Sequence, residues 1–198
     1  DYPNLTETAT FLKGKLDEVG HGVNVGFGWS WLHELPRAEK APWRFMALSS
    51  DTPLTQDELP IYLESAKRPE VRRWVVLTPL AKDEYAMETR ILDLVHRMMA
   101  AKIHGAEGVF IPNPIDRREG LLREDGGPGE LFLPWRTTAL MLASAEFVGS
   151  IDLPSGSENR IFVRENDAVM VVWNDTPTEE VIYLGENVRC TDLWGVET

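Results

Sequence analysis

Between Val71 and Gly149 the chain alternates two hydrophobic periods, and this alternation restricts its folds more than any other feature. The stretch VRRWVVLTPL, from Val71, has the β-branched and aromatic content of a buried strand. From Glu84 to His104 the apolar residues Ile91, Leu94, Val95, Met98, Met99 and Ile103 recur at intervals of three and four. That is the stripe of an amphipathic helix, and Gly105 supplies its stop. GVFIPNP, from Gly108, returns as a strand, and PWRTTALMLASAEFVG as a second helix, with Pro134 at its entry and Gly149 at its exit. Strand, helix, strand, loop and helix in that order predict a parallel sheet covered by helices.

Upstream, the stretch from Thr6 to Gly20 reads as a short helix with Phe11, Leu12 and Leu16 on one side. HGVNVGFGW and RFMALSS are strand candidates, and DTPLTQDELPIYLESA gives a turn followed by a brief helix that Pro60 begins or interrupts. After Gly149 the order changes. SIDL, RIFVRE, AVMVVWND, EEVIYLG and VRCTDLW are short strand-like runs separated by PSGSEN, NDTPT and GEN, which predicts an antiparallel all-β unit. The sequence therefore divides into an α/β part, 1–149, and a β part, 150–198.

Charge and motifs exclude several function classes. Twenty basic residues against thirty-two acidic ones give a net charge of -12, which repels phosphate backbones; no nucleic-acid partner is expected. The β part carries ten acidic residues and three arginines. No apolar run approaches the roughly 18 residues of a membrane span. Cys190 is the one cysteine, so neither an intrachain disulfide nor a cysteine zinc site can form, and its place in VRCTDLW predicts a buried, inert thiol. His21 and His33 are twelve residues apart, and His96 and His104 lie about two turns apart on one helix, so no metal is expected. No cofactor is expected either, since no Walker loop, GxGxxG, GxSxG or HExxH occurs.

The run from GVFIPNP through GLLREDGGPGELFLPWRTTALML to IFVRENDAVMVVWND and VRCTDLWG resembles the C-terminal part of a clan A glycoside hydrolase. The likeness extends over about Val71 to Gly195. It implies the C-terminal part of a (β/α)8 TIM barrel, incomplete in this chain, followed by a small antiparallel β-sandwich. VNVGFGW, RFMALSS, VRRWVVLTPL and GVFIPNP would be the fifth to eighth barrel strands. The chain, which opens on Asp1, then reads as a piece of a longer protein, and its open sheet edges predict poor stability or association. Proteins of this layout are commonly exported.

In such barrels the site lies at the C-terminal ends of the strands. The passage between GVFIPNP and Trp135 is several times the usual two to six residues, and connections of that length are functional or disordered. Asn113, Asp116, Asp125 and Glu130 would then hydrogen-bond sugar hydroxyls while Trp135 stacks on a pyranose face; equally, the glycines and prolines of DGGPGELFLP would only turn the chain into the next helix, and Trp135 with Arg136 would staple that helix. Trp29 and Trp31 alternate as strand residues do, and would form an aromatic platform or pack in the core. Retaining glycosidases need two carboxylates about 5 Å apart. The resemblance puts one at the end of the seventh strand, where this chain has Thr78 and Pro79. Asp51, after FMALSS, and Glu34, in WSWLHELP, are the remaining catalytic candidates, each with a plain reading as turn or surface residue. The expectation is a glycoside hydrolase-like piece that hydrolyses or binds a polysaccharide, inactive by itself. The alternative is a non-catalytic carbohydrate-binding or scaffold module.

Overall fold

A computed structural model describes residues 4–20, 22–30, 43–50 and 52–198. The chain forms two compact units, residues 1–120 and 121–198.

The first unit is mixed α/β. In chain order it holds α1 (Leu5–Val19), β1 (Gly26–Ser30), β2 (Phe45–Ser49), α2 (Glu58–Ser65), β3 (Arg72–Val76), α3 (Met87–Ile103) and β4 (Gly108–Phe110). The four strands make one sheet in the order β1-β2-β3-β4, every pair parallel. All four are strands the sequence predicts, and their neighbours in space are their neighbours in the chain. Pro60 stands in the first turn of α2, where its missing N–H costs nothing. Thr55 caps that turn: its N–H and hydroxyl both donate to the Glu58 carboxylate, and its hydroxyl accepts from the Glu58 N–H.

The pleat sends alternate residues to opposite faces. Met46, Leu48 and Val75 point to one face and are all but completely buried. Arg73 shares that face, donating to Leu63 O at the end of α2 at 2.5 Å and to Gly105 O after α3 at 3.3 Å. The other face carries Phe45 and Trp74, stacked with centroids 3.9 Å apart, and Phe110 at 5.1 Å from Trp74. The Phe45 ring lies over Gly26, 2.0 Å from where a Cβ would stand, so only glycine leaves room for it. This second face is half-exposed, and Phe110 is 45% exposed.

The second unit starts with a turn-rich stretch and α4 (Phe132–Leu142), then β5 (Glu146–Gly149), β6 (Glu158–Val163) and β7 (Ala168–Trp173) in a separate antiparallel sheet, order β5-β6-β7. Three expectations are corrected here. The helix predicted to run to Gly149 stops at Leu142: Ala143 turns extended and Ser144 takes a φ of 56°, which turns EFVG into a strand. SIDL and EEVIYLG form no strand; in SIDL a side chain takes the backbone groups a ladder would use. Asn159, 2% exposed, accepts from the Ile151 N–H at 3.0 Å and donates to Ile151 O at 2.7 Å, while Glu180 accepts from the N–H groups of Ser155 and Ser157. VRCTDLW forms only one side of a terminal hairpin, with Cys190 and Thr198 exchanging backbone hydrogen bonds and a bridge between Thr191 and Glu197. Cys190 is exposed there, not buried.

Candidate functional site

Parallel strands aim their C-terminal ends to one edge, and the loops leaving those ends meet there. In the first unit that edge has a small, partly open crevice lined by Ser50, Leu54, Leu59, Val76, Thr78 and Arg97. It is far smaller than the roughly 300–1,000 Å³ of sites that enclose a small molecule. Two arginines of α3 build its surroundings. Arg97, 1% exposed, donates from Nε to Asp93 at 2.9 Å, pairs with the same carboxylate through a second nitrogen, and donates to Thr78 O at 3.0 Å. Arg90, one heptad earlier and 3% exposed, donates to Leu80 O at 2.8 Å and lies 3.4 Å from Arg118 O. The backbone after β3 is thus fixed by charge-assisted hydrogen bonds from the helix that follows it.

Arg118 ties that loop to the one after β4. Its guanidinium donates to both Asp83 oxygens at 2.9 and 3.0 Å and to Glu84 at 2.7 Å, and its carbonyl accepts from the Lys82 N–H at 3.0 Å. The Arg118 hydrogen bonds hold the Asp83 carboxyl below its usual range. Asp83 and Glu84 are therefore loop anchors, standing before α3 and not within it as the sequence predicts.

The long passage is ordered by its own hydrogen bonds. On the side of the first unit, Asp116 accepts from the N–H groups of Arg118 at 2.8 Å and Glu119 at 3.0 Å, which lower its pKa, and the Gly120 N–H donates to Asp116 O. A Cβ on Gly120 would stand 2.4 Å from Asp116 O and 2.7 Å from Pro114 O. Gly120→Ala is accordingly expected to open this turn, speeding amide exchange at Arg118 and Glu119 by about tenfold or more; unchanged exchange would refute the tight turn. On the side of the second unit, Arg123 and Gly127 pair backbone groups across a narrow loop. Asp125 accepts from the Gly127 N–H at 2.8 Å, which lowers its pKa.

Of the residues the sequence proposes, Asp116 and Asp125 serve as turn acceptors. Asn113 and Glu130 are exposed, the first a few residues beyond β4. Trp135 lies in the first turn of α4 with its indole N–H buried and, like the Thr137 hydroxyl, without a hydrogen-bond partner among the described residues. Trp29 packs edge-on against Phe27 at 5.7 Å, and Phe27 against the buried Trp43 at 4.8 Å. Trp31, Glu34 and Asp51 lie outside the described residues. Among the described residues no group of His, Cys, Asp and Glu has the arrangement of a metal site, and no helix is long and apolar enough to cross a membrane.

Five carboxylates, Glu58, Asp83, Asp116, Asp125 and Glu180, have lowered pKa values. In Glu180 the largest influence is desolvation, which raises the value, and the N–H groups of Ser157 and Ser155 outweigh it. A carboxylate whose folded value is depressed contributes stability that is complete above its unfolded value, near pH 4, and is lost as pH falls through the folded value. Urea midpoints are expected to hold from neutrality to about pH 5 and to decline below about pH 4. A midpoint that rose on acidification through that window would contradict these hydrogen bonds.

The sequence matches no family model and no curated protein. In fold, the chain is similar to a family 39 glycoside hydrolase from the gut symbiont Bacteroides cellulosilyticus WH2, with a TM-score of 0.53 and 14% sequence identity. The similarity covers 79% of this chain and 40% of that one, so the chain spans well under half of that protein's length. At this identity the relation is one of fold, and the fold of the chain is glycoside hydrolase-like.

Proposed function

We propose that the chain is part of a glycoside hydrolase-like protein and binds a polysaccharide at the C-terminal ends of its parallel strands. The fold similarity carries this reading. In it, the first unit belongs to a (β/α) barrel and the antiparallel unit to the β-sandwich that follows. The binding surface of the first unit is the rim anchored by Arg90, Arg97 and Arg118, with Asn113 exposed beyond β4. Trp29, at the end of β1, would stand beside it, and Trp31, Glu34 and Asp51, outside the described residues, are proposed as further contacts. Asp125, Glu130 and Trp135 of the second unit are proposed contacts to be tested separately.

The non-catalytic form of this reading is the favoured one. Thr78 and Pro79 stand where the strand leaves the sheet, and the next two carboxylates, Asp83 and Glu84, are both paired with Arg118. A carboxylate held in such an ion pair lacks the freedom that glycosidic cleavage asks of a nucleophile or a proton donor. The chain is expected to release no aryl aglycone from a panel of chromogenic glycosides, while its tryptophan emission shifts on titration with one of a set of soluble polysaccharides. Turnover that is lost on Asp51→Asn or Glu34→Gln would overturn the non-catalytic reading. An emission spectrum indifferent to every polysaccharide would overturn the binding one.

A further inference from the structure

Loops that leave the C-terminal ends of strands are ordinarily the mobile parts of a fold. The loop from Leu77 to Ala86, between β3 and α3, is instead fixed along its length. Arg90 Nε donates to Leu80 O at 2.8 Å, and the Lys82 N–H donates to Arg118 O at 3.0 Å. The Arg118 guanidinium holds Asp83 at 2.9 and 3.0 Å and Glu84 at 2.7 Å. The N–H groups of Glu84 and Tyr85 both donate to Ala81 O, at 3.2 and 3.1 Å, which closes a turn just before α3. What this frame presents is the Tyr85 side chain. Tyr85 is 44% exposed, and its hydroxyl makes no hydrogen bond within the protein among the described residues. The loops after β2 and β4, residues 50–57 and 111–120, carry no aromatic residue. The sequence pattern places Tyr85 inside the helix, which hides this position; the structure starts α3 at Met87.

We propose that Tyr85 is the stacking platform for one neutral pyranose unit of the polysaccharide. A lone exposed aromatic ring means little by itself. One fixed at the strand ends by charge-assisted hydrogen bonds is a prepared surface. Tyrosine has an apolar body and a polar tip, which matches a pyranose: C–H groups on its faces, hydroxyls around its edge. The side chain has few torsions to order, and its backbone is already held, so little conformational entropy is left to lose on binding. The surrounding charge selects the class of sugar. In the two loops Lys82, Arg117 and Arg118 stand against Asp83, Glu84, Asp116 and Glu119, and the whole chain carries -12. A uronate would meet no surplus of positive charge there, whereas a neutral pyranose is indifferent to it. This inference rests on the carbohydrate-binding reading and adds to it a contact residue and a substrate class.

The test is affinity electrophoresis of the wild-type chain, Tyr85→Ala and Tyr85→Phe through gels containing a mixed-linkage β-glucan, an arabinoxylan, a galactomannan or polygalacturonate. Circular dichroism confirms that each sample is folded. A neutral polysaccharide is expected to retard the wild type. Tyr85→Ala is expected to raise the dissociation constant about tenfold, the scale of losing an aromatic anchor, and Tyr85→Phe, which keeps the ring, by less than about threefold. Should Tyr85→Ala unfold, Tyr85→Leu takes its place with the same expected loss, since it keeps apolar area without a flat ring. Retardation by a neutral polysaccharide that loss of the ring leaves unchanged would overturn the role of Tyr85 while carbohydrate binding stands. Retardation by polygalacturonate alone would overturn the assignment to neutral sugars. No retardation of the folded wild type in any gel would overturn the carbohydrate-binding reading and this inference with it.

Discussion

Arg97→Met is expected to cost about 3–5 kcal/mol, the usual effect of breaking a buried ion pair from one side. Methionine fills a similar volume, so the loss would come from the groups left behind. Asp93 would lose both of its guanidinium contacts, and the Thr78 carbonyl at the end of β3 would lose its donor. Against a typical domain stability of about 5–15 kcal/mol, this is a large fraction. The urea midpoint of the α3 amides, followed by hydrogen exchange, measures it. Asp93, with 23% of its side chain exposed, regains water when freed, so the result should fall toward the lower end of the range. A shift of less than about 1 kcal/mol would mean that the arginine only fills space.

In the second unit the corresponding change is Phe162→Ala. Phe162 is 0% exposed in the central strand of the three-stranded sheet and packs on Phe147 at 5.6 Å. Truncating a buried phenylalanine costs about 3–5 kcal/mol through lost transfer energy and the cavity it leaves. A sheet of three strands depends on its hydrophobic face for independent stability. Amide protection across β5, β6 and β7 is expected to collapse. Protection retained at the wild-type level would show that the core of this unit lies elsewhere than under Phe162.

The parallel strands were legible because their apolar runs are short and bounded, and α3 because its stripe is unbroken over four turns. Arg90 and Arg97 were not. An arginine inside a helix reads as surface, yet Arg90, Leu94, Arg97 and Ala101 follow the spacing of one face and are all buried. That spacing was the available signal. The strand at Glu146–Gly149 escaped because the break before it is made by Ser144 in a left-handed conformation, with no glycine or proline to mark it. SIDL alternates as a strand does, but the Asn159 side chain claims the Ile151 N–H and C=O that a ladder would use. Among the candidate site residues, Asp116 and Asp125 accept the N–H groups of their own turns, whereas the sequence reading gave the turning to the glycines and prolines of DGGPGELFLP. The roles proposed for Asn113, Glu130 and Trp135 rest on the resemblance, since exposure alone does not distinguish a sugar contact from solvated surface.

Carbohydrate binding at the strand ends is the central claim, and affinity electrophoresis through gels containing soluble polysaccharides tests it most directly. Asn113→Ala, an exposed change that leaves the backbone hydrogen bond from Asp116 to Asn113 O in place, should run beside the wild type, as should Trp29→Ala. The account expects one polysaccharide to retard the wild type and these changes to relieve the retardation while the circular dichroism spectra stay the same. Equal mobility of folded wild type in every gel would contradict it.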